Sequence, residues 1–260
     1  MIELYTFTVS HFCEKARWAL DLSGAPYQEK LLLPGLHLWT TRRLAAQSTV
    51  PILVHDKRVI QGSSAILDHI QAYWPSTPLP HGTAYSTTRG ALEAEFDRAL
   101  GHSTQRLLYA ALSADREEIT RLWCDHGPSW APTFYGLAFP FVDAVVKRMY
   151  HTTDTVAVAE AHQQLGQCLD HVESLLQRTP YLAGDRPGRE DLVMASFLAP
   201  LDFPEEHPAA WPANAKVAET FAAYRQRPAI AHMKRVYREL RHLGSQPYRL
   251  GALGTHEPLR

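Results

Sequence analysis

Apolar and polar side chains alternate along residues 2 to 7, Ile-Glu-Leu-Tyr-Thr-Phe, which is the two-residue period of a strand with one buried face. From about Phe12 the spacing becomes helical. Cys13, Ala16, Ala19 and Leu20 share one face through Ser23, Gly24 follows where a helix end wants positive φ, and Pro26 stops any continuation. Strand signals return at Tyr27 to Leu33, at Pro51-Ile-Leu-Val and at Arg58-Val-Ile-Gln. The last two are close enough to pair as a hairpin, whereas the earlier strand-helix-strand passage requires a parallel crossover, so the pattern predicts a mixed sheet. A further helix opens at Ser63-Ser64, with Ile66, Leu67, Ile70, Tyr73 and Trp74 as its apolar stripe.

Strand signals then cease. Pro75-Ser-Thr-Pro-Leu-Pro-His-Gly cannot continue a helix and reads as a linker. Beyond it Leu92, Phe96, Ala99 and Leu100 recur at helical spacing, as do Ala161, Leu165, Cys168, Leu169, Val172, Leu175 and Leu176. Leu192 to Leu201 forms a short apolar helix, and Phe221, Tyr224, Ile230, Tyr237 and Leu240 support two more, broken at Pro228. Cys124 to Pro140 is rich in proline, glycine and aromatics and reads as a less regular pocket wall or helix junction. The expected organisation is an α/β domain over residues 1–75, a linker over 76–83, an all-helical domain over 84–245 and a tail over 246–260.

Composition narrows the function. Lys and Arg total 26 against 27 Asp and Glu, a formal net charge of -1, so no global field recruits nucleic acid or an anionic membrane. No apolar run is long enough to span a bilayer and the start lacks a basic-then-apolar leader, so the expected location is cytoplasmic. The 3 cysteines are too scattered for a disulfide framework, and the 14 histidines stand singly without metal-site spacing, so no metal is expected.

Four segments, in order, resemble the cytosolic glutathione transferase superfamily. Ser10-His11-Phe12-Cys13 followed by Glu-Lys-Ala-Arg-Trp-Ala-Leu is similar to the active-site turn of the serine-type members. Val50-Pro51-Ile52-Leu53 is similar to the segment whose proline is cis in thioredoxin-like folds. Gly62-Ser63-Ser64-Ala65-Ile66 and Tyr181-Leu-Ala-Gly184-Asp185 through Asp191 match two further family stretches, the last with Asp191 as the acid that opens a buried helix. The resemblance implies a thioredoxin-like N-terminal domain with a helical C-terminal domain, a homodimer, glutathione as co-substrate and a small hydrophobic electrophile as the second substrate.

The chemistry has a physical basis. A free thiol ionises near pH 8.5 and only its thiolate is a strong nucleophile, so a transferase must stabilise S⁻. The amide-rich start of the helix near Phe12 and a hydrogen bond donated by the Ser10 hydroxyl would do so; Ser10 is thus the candidate catalytic residue, acting on a borrowed thiol. The resemblance assigns glutathione to the backbone of Val50, to Ser63 as a helix cap for the γ-glutamyl carboxylate, to Gly62 beside it and to His37 near the glycine carboxylate. Gly62 departs from the family, which carries Glu or Asp there to meet the ligand's α-amino group; either affinity is weaker or another acid, for instance from a partner subunit, substitutes. His11, Phe12 and Tyr109 are candidates for the second-substrate pocket. Cys13, on the face shared with Ala16 and Leu20, reads as a small buried hydrophobe. A glutathione-dependent reductase or lyase, and a non-catalytic ligand-binding protein of the same fold, are the competing readings.

Overall fold

The structure, a computed structural model, describes residues 1–79, 89–113, 115–209, 211 and 214–241. Its first part is a four-stranded sheet in the order β2-β1-β3-β4, built from β1 (Ile2–Thr6), β2 (Gln28–Leu31), β3 (Ile52–His55) and β4 (Arg58–Gln61). Strand β1 pairs in parallel with β2 and antiparallel with β3, which in turn pairs antiparallel with β4. The mixed sheet expected from the sequence is therefore present. Helix α1 (His11–Ser23) is the crossover between β1 and β2; it starts on the Ser10 cap and ends at Gly24 with φ 68°. Helix α2 (His37–Leu44) and helix α3 (Ser63–Tyr73) complete this thioredoxin-like half.

Helices make up the rest of the described chain: α4 (Arg89–Glu95), a π-helical turn (Phe96–His102), α5 (Ser103–Leu112), α6 (Arg116–Cys124), α7 (Ala131–Tyr150), α8 (Thr155–Leu176), α9 (Arg189–Asp202), α10 (Ala215–Phe221) and α11 (Pro228–Leu240). Helix α9 is buried along its whole length and is the axle on which α1, α11 and the π-helical turn pack. Asp191, in its first turn, accepts hydrogen bonds from the N–H groups of Leu182, Ala183 and Gly188 and lies 2.8 Å from His232 Nε2. That satisfies amides which would otherwise be buried without partners.

One sequence expectation needs correction. The stretch from Cys124 to Pro140 is regular from Ala131 onward, with Pro132 in the first turn of α7 and Pro140 inside it. Pro140 cannot donate to the carbonyl of Gly136, and the guanidinium of Arg116 donates to that carbonyl in its place. The two helices expected on either side of Pro228 are α10 and α11, and Pro228 is the first residue of the second. Of the expected linker, residues 80–83 lie outside the described residues, as does the expected tail, 246–260.

The two halves are joined by one main core and by buried charge. Arg189, at the start of α9, reaches Asp68 and Gln71 of α3 and Glu93 of α4, while Trp18 of α1 packs on Tyr237 of α11 with ring centroids 4.4 Å apart. A second small cluster, Leu33 with Ala131 and Tyr135, ties α7 to the end of β2, and the Tyr135 hydroxyl donates to the Pro34 carbonyl. No described helix is long and apolar enough to cross a membrane.

Candidate active site

A cleft of about 1000 Å³ runs between the sheet's edge loops and the helical half. The N-terminal half contributes three backbone turns. The first is the end of β1 entering α1. Ser10 has extended backbone geometry, and its Oγ accepts from the Cys13 N–H at 3.3 Å. Accepting that bond uses a lone pair, the hydroxyl proton can be given to the Cys13 sulfur or into the cleft, and Ser10 lies on the cleft wall. Cys13 is fully buried instead; its sulfur accepts from the Phe7 N–H and burial pushes its thiol up to about 11.

The second turn is Gln47 to Pro51. The Val50-Pro51 bond is cis, as expected from the sequence. Gln61, at the end of β4, holds this loop: its amide donates to the carbonyls of Gln47 and Thr49 at 2.8 and 2.9 Å and its oxygen accepts from the Gln47 N–H. His37 fastens it from the other side. Its Nδ1 accepts from the Gly35 N–H at 2.9 Å, so its Nε2 carries the proton and donates to the Ser48 carbonyl at 3.0 Å. Burial lowers the His37 pKa, opposed in part by that carbonyl. The expected role of His37 as a cationic hand for a carboxylate thus finds a ring whose two nitrogens are already engaged on backbone.

The third turn opens α3. The sequence put Ser63 at the helix cap, but the cap is Gly62 and Ser63 is the first helical residue. Gly62 has φ 95°, a region that favours glycine: a Cβ would meet nothing within 4 Å, yet an L-residue would be strained there. The Gly62 N–H donates to the Pro51 carbonyl, joining the second turn to the third. Ser63 is 5% exposed, lines the cleft, and its hydroxyl has no partner among the described residues.

The helical half supplies the opposite wall. Phe12 wedges between Phe197 and His102, at centroid distances of 4.8 and 5.4 Å. It fits because residue 101 is glycine: a Cβ there would stand 2.7 Å from the tip of the Phe12 ring. His11 lines the cleft but is buried, and burial drives its pKa down to about 3 against the opposing pull of the Gly101 carbonyl. Tyr109 stacks on Tyr150 with centroids 4.6 Å apart and its oxygen accepts from Trp123 Nε1 at 3.0 Å. Burial pushes the Tyr109 hydroxyl up to about 12, so it stays protonated. Val142, Val145, Val146 and Met149 of α7 make the remaining wall largely apolar. All eight residues singled out from the sequence, Ser10, His11, Phe12, His37, Val50, Gly62, Ser63 and Tyr109, line this one cleft. Sequence reasoning missed Gln61, Asp97, His102 and the α7 wall; no described group of three or more His, Cys, Asp or Glu is arranged to hold a metal.

Residues 4–77 match the model of the glutathione S-transferase N-terminal domain. The chain is 28% identical to glutathione S-transferase 1 of Dianthus caryophyllus over 165 residues, 61% of this chain and 72% of that protein. Its fold is similar to the theta class glutathione S-transferase of Xanthomonas axonopodis pv. citri, solved with glutathione bound, at TM-score 0.55 and 20% identity over 88% of this chain and 94% of that one. It is also similar to a Ceriporiopsis subvermispora glutathione S-transferase in complex with glutathione, at TM-score 0.61 and 12% identity over 97% and 99% of the two chains. The shared architecture is an α/β half carrying a cis-proline turn and a serine-capped helix, set against a helical half. Residues 4–77 thus carry the N-terminal domain of a glutathione S-transferase, and the chain as a whole has the fold of the solved glutathione S-transferases it resembles.

Proposed function

We propose that the protein is a glutathione transferase in which Ser10 keeps the thiol of bound glutathione ionised for attack on the electrophilic carbon of a small hydrophobic molecule. The observation that carries this reading is the Ser10 hydroxyl, which caps α1 through the Cys13 N–H, lies on the cleft wall and keeps a proton to donate. A thiolate there receives that hydrogen bond and the partial positive charge of the α1 N-terminus, and about 1.4 kcal/mol of such stabilisation lowers its pKa by one unit. The tripeptide lies extended along the backbone of Val50, with its γ-glutamyl carboxylate at Ser63 and the first amides of α3. His37 takes part indirectly, by holding the Ser48 carbonyl and hence the loop.

The second substrate occupies the wall of Tyr109 and the α7 valines, within residues 84–245, together with Phe12 from the glutathione half, residues 1–75. In the step itself the thiol proton passes to solvent, the S–C bond forms and the electron pair of the breaking bond leaves with the displaced group. The burial of Cys13 disfavours a reductase that uses a protein thiol. A homodimer belongs to the same reading and is checked by light scattering.

Ser10→Ala tests it. Turnover of a model aryl electrophile is expected to fall by at least about tenfold while calorimetry still detects glutathione binding. Unchanged turnover in that variant defeats the assignment of Ser10; glutathione binding without turnover in the wild type favours a carrier.

A further inference from the structure

The helical wall of the cleft is apolar along α7 but not where the last turn of that helix meets α5. Arg106 of α5 lines the cleft, and two backbone carbonyls fix its guanidinium: Nε donates to Tyr150 O at 2.9 Å and Nη1 to Ala157 O at 3.1 Å. The first is an orphaned carbonyl at the end of α7, where the helix dipole also favours a cation. Those bonds use Nε and one proton of Nη1, which leaves the other Nη1 proton and all of Nη2 uncommitted. No described carboxylate pairs with Arg106, and among the described residues that line the cleft it is the one guanidinium or ammonium. The acid of the cleft, Asp97, is held by Lys15 and Ser64 instead.

The neighbours of Arg106 are donors as well. The Tyr109 oxygen accepts from Trp123 Nε1 and the Tyr150 oxygen from Gln105 Nε2 at 3.4 Å, so each phenol has its own proton left to give, and no described residue accepts it. Burial pushes both hydroxyls up, so neither is an anion near neutral pH. The two rings stack on each other, and the guanidinium is tied to the backbone of the second. One cation and two O–H donors thus stand together without a carboxylate, beside a wall of Val142, Val145, Val146 and Met149. Donors left without acceptors in a cleft are costly, and an oxygen that carries negative charge satisfies them best. The complement of this surface is an apolar body with an acid group at one end.

We infer that the second substrate is an electrophile bearing an acid group, a carboxylate in the simplest case, on an apolar body, with Arg106 pairing with that group and the Tyr109 and Tyr150 hydroxyls donating to it. This rests on the reading that the chain is a glutathione transferase. For a chloroarene acid the step balances: the thiolate sulfur bonds the chlorine-bearing carbon, chloride leaves with the electron pair of the C–Cl bond, and the carboxylate is untouched.

The test compares a chlorodinitrobenzoate with the matching chlorodinitrobenzamide, which differ only in carboxylate against neutral amide. Two quantities are measured near pH 7: kcat/KM for each, divided by its uncatalysed rate with glutathione, and the calorimetric affinity for each preformed glutathione conjugate. The wild type is expected to favour the carboxylate about tenfold or more in both, Arg106→Lys to keep part of that preference, and Arg106→Gln to lose it with KM for glutathione unchanged. Tyr150→Phe keeps the carbonyl that holds Arg106 and is expected to lower the preference about threefold. A wild type that binds the two conjugates equally overturns the inference without recourse to any variant. So does a folded Arg106→Gln protein that still discriminates, or one whose defect lies in KM for glutathione. A wild type that binds the carboxylate conjugate more tightly yet turns over neither electrophile overturns the transferase reading while upholding the acid subsite.

Discussion

Ser10 serves the backbone and the cleft with one oxygen. Its lone pair closes the first turn of α1 and its proton is one that a ligand thiolate can take in competition with the Cys13 sulfur, so substitutions can separate the two duties. Asparagine also caps helices but has no hydroxyl. Ser10→Ala is expected to lose about 1 kcal/mol of stability, and Ser10→Asn to retain most of it, in urea unfolding. Ser10→Asn should nevertheless leave the bound thiol less ionised, read from ultraviolet thiolate absorbance against pH; equal stability of the two variants would show that the cap contributes little. Ser10, Val50 and Ser63 were legible because each belongs to a short local pattern, while the engagement of His37 was not. Its partners, the Gly35 N–H and the Ser48 carbonyl, are main-chain groups with no signature in side-chain types. The strained φ of Gly62 was equally hidden, although the sequence did mark the residue as a departure.

Among elements, the π-helical turn does most to shape the cleft. In an α-helix, residues five apart point about 140° away from each other, whereas i→i+5 bonding brings them close to one face. Asp97 and His102 are five apart and both line the cleft. Helical periodicity at Leu92, Phe96, Ala99 and Leu100 foretold a helix here but not its winding, because a local widening leaves the apolar stripe intact. The same element holds Gly101, where Phe12 leaves no room for a methyl group. Gly101→Ala is expected to cost about 1–3 kcal/mol and to raise KM for the electrophile more than for glutathione, since Phe12 must move. Adding Phe12→Leu should restore part of both; a double variant no better than the single would place the fault elsewhere. Pro140 teaches a related lesson: the sequence suggested irregularity, and the helix persists because a side chain from α6, remote in sequence, takes the orphaned carbonyl.

Over the whole molecule, the halves are fused around polar groups that acid should disturb. His11 and His207 are fully buried, and burial lowers them to about 3 and about 4, with the Gly101 carbonyl opposing the shift at His11 and the Glu14 carboxylate opposing it at His207. An unfolded chain takes up protons at both as pH falls below about 6.5, while the folded chain refuses them until near those lower values. Stability is therefore complete above about pH 6.5 and declines below it, by up to about 1.4 kcal/mol per pH unit for each imidazole. Urea midpoints measured between about pH 7 and about pH 5 should fall, and His207→Gln should flatten the decline; midpoints level across that window would mean the rings protonate in place.

The contact between Tyr135 and Pro34 has a consequence for traffic. One phenol latches the long helix of the second half onto the loop after β2, with Leu33 and Ala131 packed beneath it. Spreading the halves at that rim would have to undo the latch and wet the patch under it, so the cavity resists opening on that side.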